Sequence, residues 1–430
     1  MKKICLISLG CAKNTVDSEA ILGLLKSGDF LLTEDPQESD CILINTCGFI
    51  LPAKVEGINT ILEMSKYKKK LVVMGCLVER YYDELKSSIP EVDLWIPFKE
   101  EYSSIATKLA NLLDEKIDKN FNIFNRVIST NKSTVYLKIS EGCDNFCAFC
   151  AIPFIRGRFV SYPLKSLVEY SKKLAKDGYK ELVVIGQDPT SYGKDLKDKN
   201  INLLSLLKEL DEIEGFESIR LLYLYPDGIN DDLLDFIASS KRISHYLDIP
   251  IQHISNKILK SMNRRDTKES TVELFKKIRQ KIPDCILRTT LIVGFPGETK
   301  KDFDELLNFV KSIKFNHLGV FTYSKEEGTK AYYLKYQVSK AEKERRRELI
   351  MEAQSHISYE LNKALVGKIF KGQIIGIDNE DYLLRCYYNS PDDIDGSIIM
   401  KNTKPHNIGD SVSIKITSAF VYDLMGEEVI

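Results

Sequence analysis

The chain has 430 residues, room for two or three domains at ~100–200 residues each, and its 61 Lys and Arg nearly balance 62 Asp and Glu for a net charge of −1. That balance excludes a globally basic nucleic-acid binder, so any polyanion contact must come from a local patch. Hydrophobic content of 43% with 29% charged residues is that of an ordinary globular protein, and no apolar run reaches the ~20 residues needed to cross a bilayer.

Residues 1–115 alternate apolar strands with amphipathic helices. KICLISLG, CILINT and LVVMG read as strands; DSEAILGLLKSG and the segment around GINTILEMSKY read as helices. This alternation predicts an α/β domain built on a doubly wound parallel sheet. The opening MKKICLISLGC has two lysines before an apolar run of six residues. That run is shorter than the ~7–15 of a secretory h-region, so it reads as a buried first strand. A polar stretch from Asp114 to Ser133 reads as a linker.

A second α/β unit is expected over residues 130–358. Its strands are VYLKIS, ELVVIG, IRLLYLY, YLDIPI, CILRTTLIVG and HLGVFTYS, with helices such as LKSLVEYSKKLAKDG, NLLSLLKELDEI and DFDELLNFVKSIK between them. Six strand–helix units predict a partial (β/α)6 barrel, short of the eight of a closed one. The charged helix SKAEKERRRELIMEAQSHISYELNKAL then reads as a solvated face. Over residues 361–430, short strands with turns at DNED, SPDDIDG and NIGD predict a small antiparallel β-barrel. This last module holds seven Lys and Arg against ten Asp and Glu, a net −3.

With neither a signal nor a spanning run read in the sequence, the cytoplasm is expected, where thiols stay reduced, so the ten cysteines read as metal ligands, redox groups or core residues and not as a disulfide framework. Cys143, Cys147 and Cys150 form a C-x3-C-x2-C run directly after the first strand of the second unit, on the edge where such barrels place chemistry. No second C-x2-C or H-x3-H pair completes a tetrahedral zinc site. Three soft thiolates on one loop suit an iron–sulfur cluster with one iron open to a chelating ligand. Cys5, Cys41, Cys285 and Cys386 read as buried small hydrophobes. Cys11, Cys47 and Cys76 each follow a predicted strand within a residue or two. In a doubly wound sheet those strand ends share one edge, so the three converge there as a second thiolate trio, with core packing as the alternative for any one of them.

C-x3-C-x2-C with Phe149 before its last cysteine resembles the signature of radical S-adenosylmethionine enzymes. SLGCAKNTVDSEA, INTCGF, MGC, IPFIRGR, LDIPIQHISNKILKSMNR, LRTTLIVGFPGET and YSKEEGTKA extend the resemblance to the methylthiotransferase branch over essentially the whole chain. The resemblance implies two 4Fe-4S clusters, one on each cysteine trio, with S-adenosyl-L-methionine chelated at the open iron of the cluster on Cys143, Cys147 and Cys150, and a C-terminal TRAM domain. IGQDPTSYGKD and SPDDIDG are similar to the RimO type, which methylthiolates the β-carbon of an aspartate in the twelfth small-subunit ribosomal protein. Ala12 departs from the usual proline there, without chemical consequence.

On the same resemblance Gly186, Gln187, Asp188, Arg288 and Gly294 are candidate S-adenosylmethionine contacts. The glycines serve equally well as turn residues. Arg156 and Arg158 read as surface charges or as contacts to bound ligand, and His253 as structural. The implied partners are the ribosomal protein, free or on the ribosome, an electron donor of flavodoxin or ferredoxin type, and a sulfur donor; no membrane is implied. The net −3 of the last module argues against an RNA grip. Two rival readings are a transfer-RNA methylthiotransferase of the MiaB type acting on isopentenyladenosine, which predicts steep salt dependence, and a non-catalytic iron–sulfur or RNA-binding module, which predicts no cleavage of S-adenosylmethionine.

Overall fold

The computed structural model describes residues 2–26, 30–97, 99–115, 122–391 and 394–429. Part of the expected linker, the end of DSEAILGLLKSG and the Asp392–Asp393 pair of SPDDIDG lie outside them.

Five parallel strands make the first sheet: β1 (Lys2–Ser8), β2 (Phe30–Thr33), β3 (Cys41–Thr46), β4 (Lys70–Gly75) and β5 (Leu94–Pro97), in the order β2-β1-β3-β4-β5. Alternate residues feed two cores. Ile4, Leu43, Val72 and Met74 pack with α1 (Ala12–Lys26) and α4 (Tyr102–Leu113) on one face. Cys5, Ile42, Ile44 and Val73 pack with α2 (Leu51–Ser65) and α3 (Cys76–Ser88) on the other. Burial on both faces explains why the central strands read as continuous apolar runs. The strand order reverses between β1 and β3, the place where doubly wound sheets open a crevice at their carboxyl edge.

The second sheet begins with β6 (Thr134–Lys138), from whose end a short ribbon branches, β7 (Ser140–Glu141) against β8 (Val160–Ser161). It continues through β9 (Glu181–Ile185), β10 (Ser218–Leu221), β11 (Ile243–Asp248), β12 (Ile286–Val293) and β13 (His317–Thr322), six parallel strands in sequence order. Helices α6 (Leu164–Lys176), α7 (Leu203–Asp211), α8 (Asp231–Ser239), α10 (Lys268–Lys281) and α11 (Lys300–Ile313) alternate with these strands along the chain. The short α5 (Ile152–Arg156) and α9 (Asn256–Ser261) follow β7 and β11, and α12 (Lys340–Lys363) leads out of the sheet. The sheet is open between β6 and β13, as six units predict.

The C-terminal module is a closed barrel ordered β14 (Ile369–Asp378), β15 (Asp381–Arg385), β16 (Ile398–Met400), β18 (Leu424–Glu428) and β17 (Ser411–Ala419). One pair departs from the antiparallel expectation: β16 and β18 run parallel. The barrel core continues into the inner face of the open sheet, where Phe370, Cys386 and Tyr388 share one apolar cluster with Tyr136, Val183, Leu222 and Tyr246. Buried charges stitch the junction. Arg220 and Arg385 both bind Glu181 at 2.8 Å, and Asp395 accepts from the Tyr246 hydroxyl at 2.5 Å and the Ser390 amide at 2.8 Å. No helix among the described residues is long and apolar enough to cross a membrane.

Candidate active site

The carboxyl edges of the two sheets face each other, and the gap between them is a cavity of about 440 Å³ lined by all six cysteines of the two trios. Cys11 follows β1, Cys47 follows β3, and Cys76 opens α3 directly after β4. Glycine makes two of these turns possible. Gly10 (φ +100) and Gly75 (φ +105) adopt left-handed geometry, and an added Cβ would meet Cys47 Cβ at 2.8 Å or collide with Asn45 Oδ1. Opposite them, Cys143, Cys147 and Cys150 sit on the loop between β7 and α5. The other four cysteines are buried in strands and cores away from this cavity.

Three strained residues lie here. Phe146 (φ 47), Tyr223 (φ 65) and Gln252 (φ 68) are left-handed non-glycine residues and all line the cavity, the kind of position that persists only where surrounding structure over-determines it. Asn263 (φ 59) donates to the Asn145 and Phe146 carbonyls at 3.2 and 3.0 Å, fixing the loop. Lys13 Nζ stands 3.3 Å from the centroid of the Tyr223 ring, and Arg264 covers the Tyr225 ring at 3.8 Å. Burial pushes the Cys76 and Cys143 thiols up to about 12 and raises Cys47 and Cys150. Any metal bound here must therefore displace protons. Among the described residues no three His, Cys, Asp or Glu side chains gather tightly enough to hold a single ion.

Two buried polar knots fix the domains against each other. In the first, Arg156 reaches Asp17 at 3.0 Å, Glu141 at 3.1 Å and the Asn14 side-chain oxygen at 2.5 Å. Lys138 pairs with Asp17 and, at 2.8 Å, with Glu141, while Tyr102 donates to Asp17 at 2.8 Å. Burial disfavours the Glu141 carboxylate, but Lys138 and Arg156 more than offset this and hold its pKa down at about 2. In the second knot Glu326 binds Lys54 at 2.8 Å, Arg80 at 3.1 Å and the Leu51 amide at 3.0 Å. Arg80 also donates to the Gly48 carbonyl, beside Cys47, at 2.7 Å.

The remaining candidates separate. Gln187 lines the cavity, donates to Glu141 at 2.8 Å, and leaves its buried Oε1 without a hydrogen-bond partner. Asp188 is buried and accepts from the Asn145 side chain at 2.8 Å, tying the segment after β9 to the cysteine loop. Gly186 packs close to Ser140 Oγ. Arg288 does not line the cavity; it is held by Asp248 at 2.9 Å and by Asp395 of the C-terminal barrel at 3.2 Å. Gly294 (φ +71) is a turn where Lys343 of α12 crosses closely. Arg156 is buried in the first knot, whereas Arg158 is exposed and pairs with Asp144 at 2.7 Å. His253 is fully buried, accepting from the Ser255 amide. Asn14, Asp17, Lys138 and Glu141 were not singled out from the sequence. A second cavity of about 590 Å³ adjoins the first, sharing Phe49, Phe149, Gln252 and Phe321, and is lined by Thr290, Ile292 and Tyr323.

Comparison with known proteins decides the family. The model of the radical SAM superfamily matches residues 137–310, an uncharacterized protein family (UPF0004) matches residues 3–97, and the TRAM domain matches residues 366–429. The ribosomal protein uS12 methylthiotransferase RimO of Acetivibrio thermocellus is 45% identical over 449 residues, covering 100% of this chain and 98% of that protein. The protein of the same description from Alkaliphilus oremlandii is 47% identical over 430 residues, covering 98% of each. The chain belongs to the RimO methylthiotransferase family. It is thus a radical S-adenosylmethionine enzyme, and the family implies a 4Fe-4S cluster together with S-adenosylmethionine. In fold, the chain is similar to the radical S-adenosylmethionine methyltransferase TsrM from Kitasatospora setae, with TM-score 0.54, 13% identity and coverage of 74% of this chain and 73% of that one. The cobalamin-dependent S-adenosylmethionine radical enzyme OxsB gives TM-score 0.53 at 12% identity, over 82% of this chain and 56% of that one.

Proposed function

We propose that the protein methylthiolates the β-carbon of an aspartate in ribosomal protein uS12, in the cytoplasm, using a second 4Fe-4S cluster besides the one common to radical S-adenosylmethionine enzymes. The observation that carries this reading is the single cavity lined by two cysteine trios from two domains. Cys143, Cys147 and Cys150 would hold the first cluster, and Cys11, Cys47 and Cys76 the second, facing it. When bound, the clusters and S-adenosylmethionine supply the radical and sulfur chemistry that an unactivated C–H bond requires and that no side chain can provide.

The chain's own residues orient and enclose. The unpartnered Oε1 of Gln187 suits the ammonium group of the methionine moiety, with Gly186 and Asp188 shaping that turn. The adjoining cavity, with Thr290, Ile292, Phe321 and Tyr323, suits the adenosine. It takes over the place that sequence pattern assigns to Arg288 and Gly294, which here brace the C-terminal barrel and turn the chain. Half-buried Phe49 and Phe149 line both cavities and give their shared wall an apolar face. An electron donor of flavodoxin or ferredoxin type and a sulfur donor complete the reaction.

The test is anaerobic reconstitution with iron and sulfide counting. About eight irons per chain should fall to about four in Cys11→Ala and again in Cys143→Ala, given four irons per cluster. An unchanged count in Cys11→Ala removes the second site. Mass spectrometry of uS12 from cells lacking the enzyme should show loss of one methylthio group with transfer-RNA nucleosides unaltered; the reverse pattern would establish the MiaB-type reading.

A further inference from the structure

The main chain of the cysteine loop is hydrogen-bonded to two segments that also carry exposed lysines and tyrosines. Ala148, between Cys147 and Cys150, donates its N–H to the Met262 carbonyl at 2.8 Å, and its carbonyl accepts from the Ala331 N–H at 2.7 Å. Ala148 belongs to a small core with Ile258, Met262 and Ala331, contributed by α9, the residue after its end, and a turn at Lys330–Tyr333. The opposite sides of those two elements are exposed and basic. Lys260, Lys330 and Lys335 are exposed, and none forms an ion pair with a carboxylate among the described residues. On the same segments Lys257 is paired with Asp302 at 3.1 Å and Lys325 stands over the Tyr332 ring, while Tyr333 and Tyr336 stand 77% and 84% exposed. Glu327 is the one exposed acid between residues 325 and 336. A protein with net charge −1 has therefore gathered uncompensated cations behind one of its two cysteine trios.

We propose that this surface, centred on Lys260, Lys330 and Lys335 with Tyr333 and Tyr336, is where a one-electron carrier protein with an acidic face docks. The inference rests on the assignment of Cys143, Cys147 and Cys150 as cluster ligands, and it names where the required electron enters. The carrier would give up one electron, and the cluster that Cys143, Cys147 and Cys150 would hold would take it; no bond forms between the proteins and no proton crosses. Complementary charge steers encounter and sets orientation, and exposed tyrosines supply contact area at low entropic cost. Through Ala331 and Ala148, one hydrogen bond and one peptide unit separate the docked face from Cys147. A nucleic acid would also be drawn to lysines and tyrosines, but it has no use for a surface that backs a metal-binding loop.

The experiment uses the reconstituted full-length protein and the variant Lys260→Glu/Lys330→Glu/Lys335→Glu. Binding of purified flavodoxin, followed by fluorescence anisotropy at low salt, should weaken at least tenfold in the variant, and the salt dependence should flatten. Cleavage of S-adenosylmethionine driven by reduced flavodoxin should fall in parallel, while cleavage driven by dithionite, which needs no docking face, stays at the wild-type rate. Unchanged flavodoxin binding overturns the proposal, as does an equal loss with both reductants. If small ribosomal subunits, and not flavodoxin, lose affinity for the variant, the surface grips RNA and the proposal fails. No cleavage by the wild type with dithionite would instead overturn the cluster assignment itself.

Discussion

Arg156 and Arg158 stand two residues apart in IRGR, yet the structure gives them opposite weights. Arg156 is buried with two carboxylates and one lysine, so two cations balance two anions. Replacing it with methionine fills similar volume but leaves Asp17 and Glu141 to share Lys138. A buried charge stripped of its partner costs about 3–5 kcal/mol, a large fraction of the ~5–15 kcal/mol of a typical domain. The sole tryptophan of the chain, Trp95, is buried on β5 of the first domain, so urea unfolding of the metal-free protein followed by its fluorescence reads that domain specifically. Arg156→Met should lower the transition by that amount, whereas Arg158→Met should leave it unmoved. Adding Asp17→Asn to Arg156→Met removes the orphaned anion and should recover about 1–3 kcal/mol by coupling. A negligible shift in Arg156→Met, or equal shifts at the two arginines, would refute the reasoning.

Glu141 links the same knot to pH. Its folded pKa of about 2 lies below the ~4.3 of an unfolded glutamate, so its contribution of about 3 kcal/mol is present above that value and lost as pH falls toward 2. The stability gap between wild type and Glu141→Gln should hold from neutrality to about pH 5 and close below it, as denaturant midpoints across pH will show. Gly75→Ala forces a Cβ onto Asn45 and Thr46 at the turn into Cys76 and should yield about half the wild-type iron, the share of one 4Fe-4S cluster. Asp395→Asn removes the charge that Arg288 meets at the C-terminal junction. It should cost about 3 kcal/mol and make the C-terminal barrel the first fragment released in timed proteolysis.

The long central strands of both sheets were legible because burial on two faces writes them as apolar runs. β2 and β5 were not, since each is a four-residue edge strand, and Leu31 and Leu32 face solvent. IRLLYLY reads as one strand but ends at Leu221, because Tyr223 turns left-handed into the cavity. Cys5 and Cys41 are buried inside β1 and β3, as their apolar runs predict, whereas Cys11, Cys47 and Cys76 follow the ends of β1, β3 and β4 and line the cavity. Buried charge was illegible: Arg156 reads as a surface charge or a ligand contact, Arg288 as a ligand contact and Lys138 as nothing in particular, until their partners arrive from Asp17, Asp248 and Asp395, 40 to more than 120 positions away. The parallel β16–β18 pair was hidden likewise, since closure of a small barrel is a property of five strands together.

That hidden charge has a physical purpose. Each α/β domain owns an apolar core on its sheet, so each could fold with little regard for how the other sits. Transfer between groups held on different domains nevertheless demands fixed separation, because a misplacement of about 1 Å can cost ~10² in rate. Apolar faces slide at small cost, whereas ion pairs and charge-assisted hydrogen bonds are directional. Both knots reach residues close to the cysteines: Arg156 binds Asn14 and Asp17, three and six residues beyond Cys11, and Glu326 binds Arg80, whose guanidinium also holds the carbonyl next to Cys47. Apart from Glu326, the residues that fix one domain on the other lie within a few positions of a cysteine of one trio, so the buried charge that would be a poor way to gain stability is here a means of setting one trio against the other.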